Sequence, residues 1–214
     1  EDKTVWVNGL ILNHYPDTSK PRGQYLPLLE LSAKENPKDD RTIFWLGREY
    51  MYNGKYDRCI ETLKKHLSLP SATWDEERSA AMRFISKCYK AKGNLREAKA
   101  WIFKSIAECP YVREPYLWAM KFGYEEKNWL MVYAMVKNGL LITEKNFSYL
   151  MEPEAWGCAF YDYGAISSYY LGLYKEAPSY AAKACELNPS DKRLKDNLKI
   201  IESKLNEDTG KEVP

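Results

Sequence analysis

The sequence predicts an all-α chain, a right-handed α-α superhelix of about four helix pairs with a C-terminal capping helix and a short extended N-terminal segment. Three observations carry that prediction. First, Leu46-Gly47, Tyr50, Gly54, Tyr56 and Cys59 are answered 39 residues later by Ile85-Ser86, Tyr89, Gly93, Leu95 and Ala98. Second, each set reads as two amphipathic helices joined at a glycine, a residue free to take the left-handed turn that ends a helix. Third, Pro70, Pro110 and Pro189 close the second helix of a pair. Such units bury their apolar faces against neighbours, so the chain is expected to be a surface that holds a partner.

The elements follow in order. Residues 4–13 (TVWVNGLILN) are β-branched and apolar without helical spacing, which reads as a strand or extended segment. His14-Tyr15-Pro16-Asp17 breaks it, and residues 25–34 form a first helix stopped by Asn36-Pro37. The first pair spans residues 41–52 and 56–67, turning at Asn53-Gly54-Lys55. A five-residue insertion, 71–75, lengthens the period. The second pair spans 76–91 and 95–108, turning at Lys92-Gly93-Asn94. In the third pair, 114–125 and 129–141, Glu126-Lys127-Asn128 replaces the glycine turn. Residues 146–157 are a longer link to which the sequence assigns no shape. The fourth pair spans 161–171 and 174–187 around Gly172, and a charged last helix, 191–205, suits the open end of a stack. Three regions result: an extended segment 1–17, a repeat domain 18–205 and a disordered tail 206–214.

Composition narrows the function. Hydrophobic residues at 45% suffice for a soluble core, and 17 tyrosines supply most of the aromatic content. With 32 basic and 30 acidic residues the net charge is +2, so bulk electrostatics do not argue for nucleic acid. No apolar run reaches the roughly 18–20 residues that span a bilayer, and no signal peptide is visible. The opening Glu-Asp-Lys-Thr, without Met, suggests a piece of a longer protein. Cys59, Cys88, Cys109, Cys158 and Cys185 are odd in number and lack CxxC pairing, which points to packed, reduced thiols in a cytoplasmic protein.

The repeated residues resemble the tetratricopeptide repeat, whose skeleton is W-x2-L-G-x2-Y…A-x3-F…P. Leu46, Gly47, Tyr50, Cys59 and Leu63 occupy it in the first copy, and Ile85, Ser86, Tyr89, Ala98, Ile102 and Pro110 in the second. Ala165, Gly172, Tyr174, Ala177, Ala181, Ala184 and Pro189 fit in the last. A narrower string, His14-Tyr15-Pro16-Asp17…Lys20-Pro21-Arg22…Tyr25-Leu26-Pro27-Leu28-Leu29-Glu30, is similar to the junction in bacterial family-2 glycosyltransferases that carry such repeats as a tail. Leu46-Gly47-Arg48-Glu49-Tyr50, Glu77-Arg78 with Met82-Arg83, and Arg113-Glu114-Pro115 are similar to strings within those tails. The resemblance implies an upstream GT-A domain that binds a nucleotide sugar and a divalent metal through Asp-x-Asp. It also implies that residues 1–13 are that domain's last strand. No Asp-x-Asp with strand context occurs in this chain, so no cofactor is expected of it. In such enzymes a histidine at this place can complete the metal site, and His14 stands there; one histidine without the aspartates is no metal site, and a turn residue is the plainer reading.

The fold also implies where a ligand would lie. The first helices of the pairs line the inner wall, and their exposed positions give Arg41, Phe44, Arg48, Met51, Tyr52, Arg83, Lys87 and Lys90. Lys121, Tyr124, Asp162, Tyr169 and Tyr170 extend this wall. Arginine forks pair with carboxylates and phosphates, and tyrosine gives rigid contact area, so an acidic peptide or a sugar would suit the stripe. The alternative is that Arg48 and Arg83 pair with Glu49, Glu77 or Glu114 and set the stacking between repeats. Trp45, Trp101, Trp118, Trp129 and Trp156 read as core packing, Trp74 as exposed, and Lys64-Lys65-His66 as a solvated helix face. No Ser/His/Asp set, HExxH, P-loop or GxGxxG occurs, and two histidines leave most acid–base schemes short of parts. The expected role is therefore a non-catalytic binding module. It would dock a protein or peptide acceptor, or pair two copies, for a glycosyltransferase; the alternative is a free-standing adaptor with a peptide in its groove.

Overall fold

A computed structural model describes residues 22–145 and 147–209. The expected segment 1–17, including the strand and His14, lies outside the described residues, as does the tail beyond Thr209. Among the described residues there are ten α-helices and no strand. α1 (Tyr25–Glu35) precedes four hairpins: α2 (Asp40–Tyr52) with α3 (Tyr56–Ser68), α4 (Asp75–Ala91) with α5 (Leu95–Glu108), α6 (Glu114–Glu125) with α7 (Trp129–Leu141), and α8 (Ala159–Tyr170) with α9 (Ala177–Leu187). α10 (Lys192–Thr209) covers the last pair. Consecutive first helices also touch, α2 with α4, α4 with α6 and α6 with α8, so these form the inner layer of an all-α superhelix.

All four hairpins turn in the same way. In the first, the N–H groups of Asn53, Gly54 and Lys55 donate to the carbonyls of Glu49, Met51 and Tyr50. Lys92-Gly93-Asn94, Glu126-Lys127-Asn128 and Leu171-Gly172-Leu173 repeat the pattern, which satisfies carbonyls left orphaned at a helix end. Gly54, Gly93 and Gly172 have positive φ, and in the third hairpin Lys127 takes that conformation with φ 55°. The missing glycine therefore changes the strain of that turn and leaves its shape intact.

Small residues admit large ones both within and between hairpins. A Cβ on Gly47 would stand 2.4 Å from Leu63 Cδ2 of the paired helix, and one on Gly139 of α7 would stand 2.2 Å from Phe160 Cε1 of α8, in the next hairpin. Cys59, Cys88 and Cys109 are buried as small apolar residues. Helix ends differ most from the sequence reading at α9 and α10, and α8 runs from Ala159 to Tyr170 instead of 161–171. α9 starts at Ala177 instead of residue 174, because Pro178 is tolerated only in a first helical turn. α10 runs past residue 205 to Thr209, with a Lys204–Glu207 ion pair at 2.9 Å along its last turns.

His66 is the clearest departure from the expected surface. It is fully buried, because Cys59, Leu63 and His66 share one face of α3. Its Nδ1 lies 3.1 Å from the Asp40 carbonyl, which holds that proton, and burial pushes the imidazole pKa down. Phe44 is likewise core, fully buried among His66, Phe84 and Trp45, and lines no groove.

Candidate groove

The expected basic stripe is assembled on α2, α4 and α6, and much of it is already engaged by the chain itself. The link between α7 and α8 does not loop into solvent. It returns across the inner helices and lays Tyr149, Leu150, Glu152 and Glu154 along them.

Arg113 and Glu114, at the start of α6, fix both ends of this link. Arg113 Nε donates to the Ile142 carbonyl at 2.8 Å, and its guanidinium lies 4.2 Å from the Trp156 ring centroid. Glu114 Oε1 accepts from the Glu152 amide at 3.2 Å and from Trp156 Nε1 at 3.3 Å. The Arg113-Glu114 pair thus acts within the chain, as an anchor.

Between those ends the side chains dock one by one. The Tyr149 ring stacks on Trp45, with centroids 5.3 Å apart and planes 15° from parallel, and its hydroxyl donates to Glu77. Trp74, exposed as expected, meets the same ring edge-on. Leu150 joins the apolar cluster of the first two hairpins. Glu152 receives three donors: Arg83 Nη1 at 2.7 Å, Lys87 Nζ at 3.3 Å and Trp118 Nε1 at 2.7 Å. Lys121 Nζ donates to Glu154 at 2.6 Å.

The charges respond to this enclosure. Burial pushes the Glu152 carboxyl upward, but Arg83, Lys87 and the Trp118 N–H outweigh it and hold its pKa below the usual carboxylate range. Arg83 is 3% exposed. Burial lowers its pKa against the pull of Glu152 and Glu114, and a guanidinium stays charged under such a load. Glu77, also buried, has its carboxyl pKa raised chiefly by desolvation.

The predicted site residues therefore separate into three groups. Arg83, Lys87 and Lys121 are spent on Glu152 and Glu154. Arg83 pairs with Glu152, not with the Glu49, Glu77 or Glu114 considered from sequence as stacking partners. Arg41 and Tyr52 are exposed at the N-terminal rim, and Arg48 lies over the Trp45 ring with its Cζ 3.8 Å from the centroid. Tyr124 and Tyr169 belong to a different, open region.

That region is a pocket of about 700 Å³ between α6, α8 and α10. Trp129 and Tyr170 stack with centroids 4.3 Å apart and planes 7° from parallel. Tyr124 meets Trp129 edge-on, and Tyr169 meets Tyr170 in the same way. Tyr170 is 59% and Tyr124 39% exposed, and Ile200 extends the apolar surface. Arg193 stands at the rim in a two-pronged pair with Asp162, at 3.0 and 2.8 Å. Trp129, Ile200 and Arg193 were not identified as ligand contacts from sequence. They come from a second helix and from the terminal helix, outside the positions that repeat register assigns to an inner wall.

Among the described residues no group of three His, Cys, Asp or Glu is placed to hold a metal ion, and no helix is long and apolar enough to cross a membrane.

Comparison with known proteins agrees with this architecture. Residues 40–73 match the tetratricopeptide repeat family. The chain resembles the crystal structure of MamA, with 18% identity, a TM-score of 0.59, and 77% of this chain and 86% of that one covered. It also resembles the C-terminal part of a TPR repeat-containing protein from Cytophaga hutchinsonii, with 15% identity, a TM-score of 0.60, and 86% and 73% covered. A chain of the APC/C hetero-tetramer Cut9–Hcn1 superimposes with 14% identity and a TM-score of 0.59, over 84% of this chain and 33% of that one. At these identities the likeness shows the fold: a superhelix of tetratricopeptide-like hairpins. No curated protein matches the sequence.

Proposed function

We propose that the chain is a protein-binding module that holds an exposed segment of a partner in the C-terminal half of its groove and performs no chemistry of its own. The observation that carries this reading is the open aromatic wall of Tyr124, Trp129, Tyr169 and Tyr170. These side chains are already locked against one another by stacking. Rigid tyrosine and tryptophan surfaces bury much area on binding and lose little rotamer freedom, which makes them common anchors at interfaces. Work within an assembly is also consistent with the fold, since the Cut9–Hcn1 hetero-tetramer contains a chain of this kind.

On this reading the chain is an adaptor. A second reading, the acceptor-docking tail of a family-2-like glycosyltransferase, rests on the strings from His14 to Glu30 and on Arg113-Glu114-Pro115. The comparisons add nothing to it, and the adaptor reading is at least as well supported. In that case the nucleotide sugar and divalent metal would belong to an upstream domain, and this chain would supply proximity. Pairing of two copies and a cytoplasmic setting are compatible with either.

A phage-displayed random peptide library panned on the chain tests the proposal. Enriched peptides should lose at least tenfold in affinity for Tyr124→Ala and Tyr170→Ala. Peptides that bind both variants as they bind the parent would refute it.

A further inference from the structure

We propose that residues 148–154 are an exchangeable internal ligand. The N-terminal half of the groove would then accept a partner segment of the same chemistry: a short stretch with an aromatic residue, an adjacent aliphatic residue, and a glutamate three positions after the aromatic. This concerns the opposite half of the groove from the aromatic pocket and stands or falls independently of it.

The link behaves as a bound peptide would. Its backbone turns at Tyr149-Leu150, where the Met151 N–H donates to the Ser148 carbonyl, is extended at Glu152 with φ −100° and ψ 115°, and enters a 3-10 turn at Pro153–Trp156. Its anchors are separate side chains meeting separate receptors: Tyr149 on Trp45 and Glu77, Glu152 on Arg83, Lys87 and Trp118, Glu154 on Lys121. The charges are complementary, two glutamates and no cation within 148–154 facing three basic side chains. Immediately upstream, the Phe147 side chain is 81% exposed.

The fit is also incomplete. A cavity of about 20 Å³ lies beside Arg83, Leu150, Met151 and Trp156. Arg83 Nε, though buried, has no acceptor within hydrogen-bond reach. Protein interiors usually fill such gaps and satisfy such donors. A partner offering one more acceptor would improve on the link. It must, however, overcome an effective concentration in the millimolar range that tethering gives the link.

The test uses a fluorescent synthetic peptide of residues 147–156 and the intact chain. Tyr149→Ala/Leu150→Ala/Glu152→Ala removes the internal anchors. This triple variant should keep its helical circular dichroism and bind the peptide at least tenfold more tightly than the parent chain. That binding should weaken with added salt and disappear when Lys87→Ala is added, while Tyr170→Ala leaves it unchanged. A folded triple variant that ignores the peptide overturns the proposal. Should the triple variant unfold, hydrogen exchange of the parent chain decides. Amides 149–152 opening well before the helices uphold exchangeability, and amides that exchange only with global unfolding make the link a fixed part of the core and overturn it.

Discussion

Glu152→Ala is the most demanding perturbation of this structure, because one carboxylate there serves three donors. Its removal leaves Arg83, whose side chain is 4% exposed, with the Leu150 carbonyl at 3.3 Å as its remaining hydrogen-bond partner. Breaking a buried ion pair from one side costs about 3–5 kcal/mol. The Glu152 side chain retains 24% exposure, so water can partly replace it, and the lower end, about 3 kcal/mol, applies. Glu152→Gln keeps an acceptor for Trp118 or Arg83 and loses only the charge, a cost of about 1–2 kcal/mol. Urea unfolding at pH 7, followed by circular dichroism and by tryptophan fluorescence, measures both. The pH dependence has a definite sign. Arg83, Lys87 and the Trp118 N–H overcome the effect of burial and hold the Glu152 pKa below its unfolded value. The stabilisation is then complete above the ordinary carboxylate pKa of about 4.3 and is lost as pH falls through the lower, folded value. Parent and Glu152→Gln should therefore differ fully at pH 7 and converge in acid. A loss below about 0.5 kcal/mol for Glu152→Ala at pH 7, the range of an ordinary surface change, would refute the assignment of Glu152 as the keystone of the link.

Three further outcomes are expected. Lys127→Gly should raise stability by about 0.5 kcal/mol, since it relieves a left-handed non-glycine residue, whereas Gly172→Ala at the equivalent place should cost about 1 kcal/mol; paired urea midpoints compare them. Gly139→Ala should cost about 1–3 kcal/mol by driving a methyl into the Phe160 ring, and Phe160→Leu in the same chain should recover part of it in thermal melts. The Arg193–Asp162 pair, with Arg193 55% exposed, should contribute no more than about 1 kcal/mol in a double-mutant cycle with Arg193→Ala and Asp162→Asn, and less in high salt.

The hairpins were readable from the sequence because each is specified locally. Gly54, Gly93 and Gly172 mark the turns, and the period of small and large residues pairs the helices. Lys127 shows that the third turn needed only its neighbours' hydrogen bonds. What sequence could not supply was the state of the inner wall. Arg83 and Lys87 stand where repeat register puts them, but their partner Glu152 lies 69 and 65 residues away in a segment to which the sequence assigns no shape. Only the apolar pair Tyr149-Leu150 beside two glutamates hinted that the segment had a surface to cover. His66 was misplaced for a different reason. A charged run, Lys64-Lys65, drew it to the surface, although its spacing from Cys59 and Leu63 put it on the buried face of α3. Phe44 is a third case: its register suggested the groove, and its ring is enclosed by His66 and Phe84.

The return of the link over earlier helices has a consequence for how the chain is made. Repeat stacks ordinarily assemble between nearest neighbours, so each hairpin can fold as soon as the next one exists. Here Glu77 receives Tyr149 across 72 residues, and Arg83 receives Glu152 across 69. At synthesis rates of roughly 5–20 residues per second, these groups leave the ribosome roughly 4–14 s before their partners. During that interval the first two hairpins carry an uncovered, positively charged and aromatic channel. Nascent chain of acidic character, or a chaperone that favours such surfaces, has its opportunity then, and the arrival of residues 148–154 brings that period to a close.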